Sequence, residues 1–207
     1  MPRQSRCKEL PKLYKFICED EKSMKYYIEG FAKYVRLEKN KDVIVQVKSV
    51  RGKTSFTQIC RFAKNELKEL KRKNNGSYGE YKVIPCFDKD NNNISKIKGN
   101  IIQNKNMYSV FNNPCYEYWL LLHTCCTGKN YTTSKQCEEE CMKAINKTYH
   151  TKYEDLDKFK SEKNIFNIVK NDLMTAITNA KSLNFEELDS TYTNTHIILE
   201  EIMNYKK

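Results

Sequence analysis

No stretch of about 18 apolar residues occurs in this chain of 207 residues, so no membrane span is expected. The basic opening, Met1 to Lys12, lacks the apolar core of an export signal, and a cytoplasmic address is the expectation. Internal repeats and low-complexity linkers are also missing. The length suits one substantial domain, or one domain with a helical extension. The nine cysteines include no CxxC pair. Cys125, Cys126, Cys137 and Cys141 come nearest to a zinc pattern, but Cys137 and Cys141 stand one helical turn apart. An odd cysteine count without an export signal reads as reduced thiols. Nor is there a Walker loop, because Val50-Arg51-Gly52-Lys53-Thr54 lacks the upstream glycine of a phosphate cradle.

What is present is basic and periodically apolar. Hydrophobic residues make up 39% of the chain and the formal net charge is +11, a field that favours phosphate-bearing partners. The competing reading is compositional. The excess is mostly lysine beside many Asn, Ile and Tyr, as AT-rich coding produces.

Leu13-Tyr14-Lys15-Phe16-Ile17-Cys18 reads as a buried strand running into acids. Tyr27, Ile28, Phe31, Tyr34 and Val35 recur at helical spacing over Ser23 to Glu38, with Ser23 as cap. Val43 to Val50 is β-branched and reads as a second strand. Phe56 to Leu70 has one apolar helical face and stops at Asn74-Asn75-Gly76. Tyr81 to Phe87 predicts a third strand leading into Asp88-Lys89-Asp90, with Pro85 marking an edge or bulge. Alternating strands and helices predict an α/β fold, a mostly parallel sheet flanked by helices. Beyond it, Asn91 to Tyr108 reads as a polar loop. Helices are expected from Pro114 onward, over Ser134 to Tyr149, over Glu162 to Ser182 and over Thr195 to Tyr205. The expected division is a catalytic domain over 1–127 and a helical extension over 128–207 packed on it.

Parallel sheets carry their chemistry at the carboxyl ends of strands, and both acidic clusters fall there. Asp88 and Asp90, two residues apart, point to one side of a strand. Side-by-side carboxylates repel unless a cation or proton lies between them. A hard divalent ion with oxygen ligands, Mg2+ or Mn2+, suits them, with Glu19 arriving from the neighbouring strand. Asp-Lys-Asp is equally common turn chemistry, and Glu19-Asp20-Glu21 equally a solvated helix start.

Four blocks decide between these readings. Phe16-Ile17-Cys18-Glu19-Asp20-Glu21-Lys22-Ser23, Cys86-Phe87-Asp88-Lys89-Asp90, Asn113 to His123 (Asn-Pro-Cys-Tyr-Glu-Tyr-Trp-Leu-Leu-Leu-His) and Thr193-Asn194-Thr195-His196-Ile197 follow one another along nearly the whole chain. In that order they resemble the RloB-like family, small proteins with a Toprim-type catalytic domain linked to phage defence and abortive infection. The resemblance implies a nuclease that holds Mg2+ through Glu19, Asp88 and Asp90, with Glu117 assisting. It also implies a toxic effector working beside an ATPase partner. Two departures narrow this. Asp20 stands where the family has Gly. Met24 stands where an acid usually follows, which favours one metal ion over two, with Glu21 as the substitute acid.

Several residues have a second reading. Glu117 lies in an apolar run, and a buried acid needs a partner, either a basic side chain or the metal. His123 supports the site or packs in the core. Lys22, Arg51 and Lys53 bind phosphate near a helix start or are solvated loop cations. The sequence therefore leads to a metal-dependent nuclease acting on DNA or RNA, transfer RNA among the candidates. The alternative is a non-catalytic nucleic-acid-binding or sensor module. Nucleotidyl transfer or strand rejoining needs further domains, for which the chain has no room.

Overall fold

Branched and aromatic residues at alternate positions make the strands, and the two sets of alternates bury on opposite faces of one sheet. The computed structural model describes residues 10–19, 21–50, 55–74, 76–89, 103–183 and 190–206. Strand β1 (Lys12–Cys18) lies between β2 (Val43–Ser49) and β3 (Tyr81–Asp88), parallel to both. On the far side of β3 runs a strand in two pieces, β5 (Met107–Tyr108) and β6 (Val110–Asn113). Antiparallel β4 (Gln103–Asn104) pairs with β5, and antiparallel β7 (Tyr192–Thr193) pairs with β6. The sheet is thus mixed but mostly parallel, and the α/β expectation holds.

One face presents Tyr14, Phe16, Cys18, Ile84, Cys86 and Val110. Against it pack helices α1 (Ser23–Tyr34), α3 (Glu117–Leu121), α4 (Ser134–Tyr149), α5 (Leu156–Lys160), α6 (Ile165–Val169), α7 (Leu173–Ser182) and α8 (Thr195–Asn204). The other face presents Ile17, Val83, Phe87 and Phe111 to Phe56, Ile59, Cys60 and Ala63 of α2 (Phe56–Lys73). The region 128–207 shares this core, and β7 returns it to the sheet.

Pro85 sits in a central strand, not at an edge, but the irregularity it predicts is real. Val83 pairs with Met107 and Cys86 with Val110. Carried across the gap, that register sets Ser109, where the partner strand breaks, opposite Pro85. A proline has no N–H to give the ladder. Asn194 patches the break: its Nδ2 donates to the Ser109 carbonyl at 3.0 Å, and its Oδ1 accepts from the Phe111 amide at 2.9 Å.

Other expectations need correction. Ser23 is the first residue of α1 and caps nothing; its hydroxyl is used elsewhere. Pro114 follows a cis peptide bond in the turn between β6 and α3, so the block from Asn113 begins as strand and turn. Residues 103–108 hold two short strands where a loop was expected; residues 91–102 lie outside the described residues. The helix expected over Glu162 to Ser182 is divided into α6, a 3-10 turn at Lys170–Asp172 and α7. Helix α5 and strand β7 were not anticipated, being too short for a period to register.

Candidate metal centre

The parallel pairing of β1 with β3 brings the first two sequence blocks together. Cys18 is level with Cys86, so Glu19 follows one strand end as Asp88 closes the next. The Glu19 amide donates to the Cys86 carbonyl at 3.3 Å, and the Asp88 amide donates to Glu19 Oε2 at 3.4 Å. Both acids line a cleft of about 160 Å³ with Ser23, Met24, Cys115, Glu117, Glu138 and Lys160. The third block enters through Cys115 and Glu117, placed by the turn after β6.

Asp88 is held from the side. Asn112, level with it on β6, donates from Nδ2 to Asp88 Oδ1 at 3.0 Å. The Asn112 amide is itself fixed, because its Oδ1 accepts from the hydroxyls of Thr193 at 2.7 Å and Thr195 at 3.1 Å. Asn112, Thr193 and Thr195 are all fully buried. The fourth block therefore acts two steps from the acid. It fixes the amide that aims the carboxylate.

Glu117 is only 2% exposed, at the start of α3, yet it is satisfied: Ser23 Oγ donates to its Oε1 at 2.7 Å. A buried carboxylate without such a donor would be costly. Ligand atoms of Cys115, Glu117 and Glu138 lie within 4.8 Å of one another, close enough to share a metal ion. Lys160 pairs with Glu138 at 2.9 Å. Burial works against charge on Lys160, but Glu117 and Glu138 outweigh it and hold its pKa above the ordinary lysine value. The Cys115 thiol is pushed well above its ordinary range by a hydrogen bond with Cys137 and by burial.

The structure thus brings Glu19, Asp88 and Glu117 together. Asp90, Arg51 and Lys53 lie outside the described residues. Glu21 and Lys22 are exposed and do not line the cleft; Lys22 reaches Asp157 at 3.5 Å instead. Met24, which departs from the acid of the family pattern, lines the cleft as a buried apolar side chain.

His123 is buried away from the cleft. Its Nδ1 lies 3.1 Å from the Trp119 carbonyl, which can only accept, so Nδ1 carries the proton. Nε2 then accepts from the Tyr27 hydroxyl at 3.0 Å. Burial pulls its pKa down to about 4. This is a neutral core histidine with both nitrogens occupied. Cys125 and Cys126 are exposed while Cys137 and Cys141 are buried, and among the described residues these four form no metal-ligand group. The sequence reading missed Glu138, Lys160, Ser23 as a donor, and Asn112. All four depend on which helix or strand packs beside which, and no local pattern marks them.

The donor set fits a divalent cation. Carboxylates from two strand ends and α3 suit a hard ion, and the thiol at the far side suits a softer one. Among the described residues no helix is long and apolar enough to cross a membrane. No curated protein and no solved structure matched the chain. A family model described as RloB-like protein matches residues 15–202, which is most of the chain, and the chain therefore belongs to the RloB-like family.

Proposed function

We propose that the protein is a metal-dependent nuclease of Toprim type that hydrolyses phosphodiester bonds in DNA or RNA. The observation that carries this reading is the meeting of Glu19 and Asp88, from adjacent parallel strand ends, with Glu117 in one cleft. A divalent ion held there, Mg2+ or Mn2+, supplies a Lewis acid for a phosphate oxygen and makes a bound water more acidic. The chain's own part is to hold the ligands. Asn112 fixes the Asp88 carboxylate, and Ser23 fixes that of Glu117. Asp90 belongs to the same proposal as a third strand-end ligand. The net charge of +11 supports a nucleic-acid substrate through attraction to phosphates, which position without reading sequence. Membership of the family supports a role as a defence effector working beside an ATPase partner.

The test is incubation of purified protein with labelled DNA and with total RNA, each with and without Mg2+. Cleavage is expected only with the ion. Asp88→Asn is expected to lower it at least 100-fold while leaving the thermal melt in place. Undiminished cleavage by that variant would remove the reading. A second reading, a non-catalytic binding or sensor module, draws on Met24, an apolar side chain on the wall of the cleft. It expects nucleic-acid binding that needs no divalent ion and no cleavage of either substrate.

A further inference from the structure

The cleft has two poles. At one, Glu19 and Asp88 close adjacent strand ends and touch through the Asp88 amide. At the other, Cys115, Glu117 and Glu138 each bring a ligand atom within 4.8 Å of the others, a spacing one divalent ion can span.

The second pole already contains a cation. Lys160, the last residue of α5, reaches over the cleft and donates to Glu138 Oε1 at 2.9 Å. Its side chain is 31% exposed, and that of Glu138 14%, so the pair is shielded without being sealed. An ammonium has three N–H donors and no acceptor. It can satisfy more than one neighbouring oxygen, but it repels any second cation that approaches the same carboxylates. Glu117 accepts from the Ser23 hydroxyl through one oxygen, Oε1.

We propose that Lys160 is a built-in second cation of this site: its ammonium holds the Glu138 side of the Cys115–Glu117–Glu138 pole and leaves Glu117 to the ion at Glu19 and Asp88, so the cleft binds one divalent ion rather than two, and its remaining N–H donors are available to a phosphate oxygen. The proposal rests on the metal-dependent reading above. It gives a physical reason for an apolar residue at Met24, because a site that carries its own ammonium needs fewer acids.

The test is calorimetric titration of Mn2+ into the full chain, with Cd2+ absorbance as a probe of thiolate ligation. Cys125→Ser and Cys126→Ser form the background, since both thiols are exposed. That parent protein is expected to bind one Mn2+, to lose it in Asp88→Asn, and to show no cadmium–thiolate band. Lys160→Ala is expected to bind two ions and gain the band, which Cys115→Ser then removes. Lys160→Arg is expected to stay at one. Lys160→Gln keeps length and hydrogen bonding without charge, and reports the same stoichiometry should the alanine variant not fold. One ion in the parent and in both neutral variants would overturn this inference and leave the metal-site reading standing. Two ions in the parent would overturn it too. A parent that binds none overturns both.

Discussion

At the scale of single residues, the site is decided by hydrogen bonds that leave no mark on the sequence pattern. Asn112 reads as one more residue of an Asn-rich chain, yet its amide is pinned by two threonines and aims Asp88. Asn112→Leu is expected to weaken metal binding about 10–100-fold, the usual cost of losing a ligand's supporting partner. Calorimetry of Asn112→Leu against Thr193→Val measures it, and unchanged affinity in both would remove the positioning role. His123 gives a different test. Its folded pKa of about 4 lies below the ordinary 6.5, as does that of His196, also about 4. In both, burial is the main cause. Between these values the unfolded chain binds more protons than the native one, so stability falls as pH drops from 6.5 toward 4. For a fully buried histidine the loss is of order 1–3 kcal/mol. Urea midpoints at pH 7 and pH 5 are expected to differ, and His123→Gln, which can still donate and accept, is expected to shrink the difference. An equal difference in that variant would refute the assignment.

At the scale of elements, two contacts hold the helices where the site needs them. Helix α1 carries Ser23 and Met24 to the cleft and lies close against α6 at Gly30. A Cβ at Gly30 would fall 2.5 Å from Phe166 Cβ. Phe166 also meets the rings of Tyr27 at 5.1 Å and Phe31 at 5.9 Å, so it cannot give way cheaply. Gly30→Ala gains about 1 kcal/mol of helix propensity but is set against an overpacking cost of about 1–3 kcal/mol. Net destabilisation is expected, read as a lower melting temperature; a rise would show that the helices are free to move apart. The second contact docks α8. Glu201 accepts from Lys82 Nζ at 2.7 and 2.8 Å and from the Tyr14 hydroxyl at 3.0 Å. Lys82 is a buried residue of β3. Glu201→Gln takes away its counter-charge, at a cost of about 1–2 kcal/mol once the carboxylate's partial exposure is discounted. Chemical denaturation of Glu201→Gln against Lys82→Met and the double variant gives the coupling, and a coupling near zero would demote the contact to a surface pair. This helix matters to the site because the residues just before it, Thr193 to Thr195, hold Asn112.

At the scale of the whole molecule, the charge of +11 is a statement about partners that salt can test. If the uncleaving Asp88→Asn protein binds nucleic acid through about four phosphates, duplex affinity should fall roughly 100-fold between about 50 and 200 mM salt. Filter binding across that range checks it. A flat response would return the lysine excess to coding bias. Much of the fold was legible from pattern alone. Strands over Leu13 to Cys18, Val43 to Val50 and Tyr81 to Phe87 announced themselves by dense apolar or β-branched runs. The helices from Ser23 and from Phe56 did so by a 3.6-residue period, and the one over Ser134 to Tyr149 by acids early and lysines late along it. These signals are local, and burial on one face imposes them wherever the chain later goes. Less was legible after Asp88, where the strands are two to four residues long and the helix expected over Glu162 to Ser182 breaks at a 3-10 turn.

The sequence by itself determined the alternating strand–helix order, the acids Glu19 and Asp88 at strand ends, and the family blocks. Each of these is written in consecutive or periodically spaced residues. Only the tertiary structure decided that Glu117 is reached by Ser23, that Asn194 repairs the break opposite Pro85, and that Asn112 transmits the C-terminal block to Asp88. It alone also set Lys160 and Glu138 across the cleft and took His123 out of it. Those partners lie 22 to 94 residues apart along the chain. A hydrogen bond or ion pair depends on distance in space and carries no period along the chain, so nothing short of the packed sheet and helices could fix them.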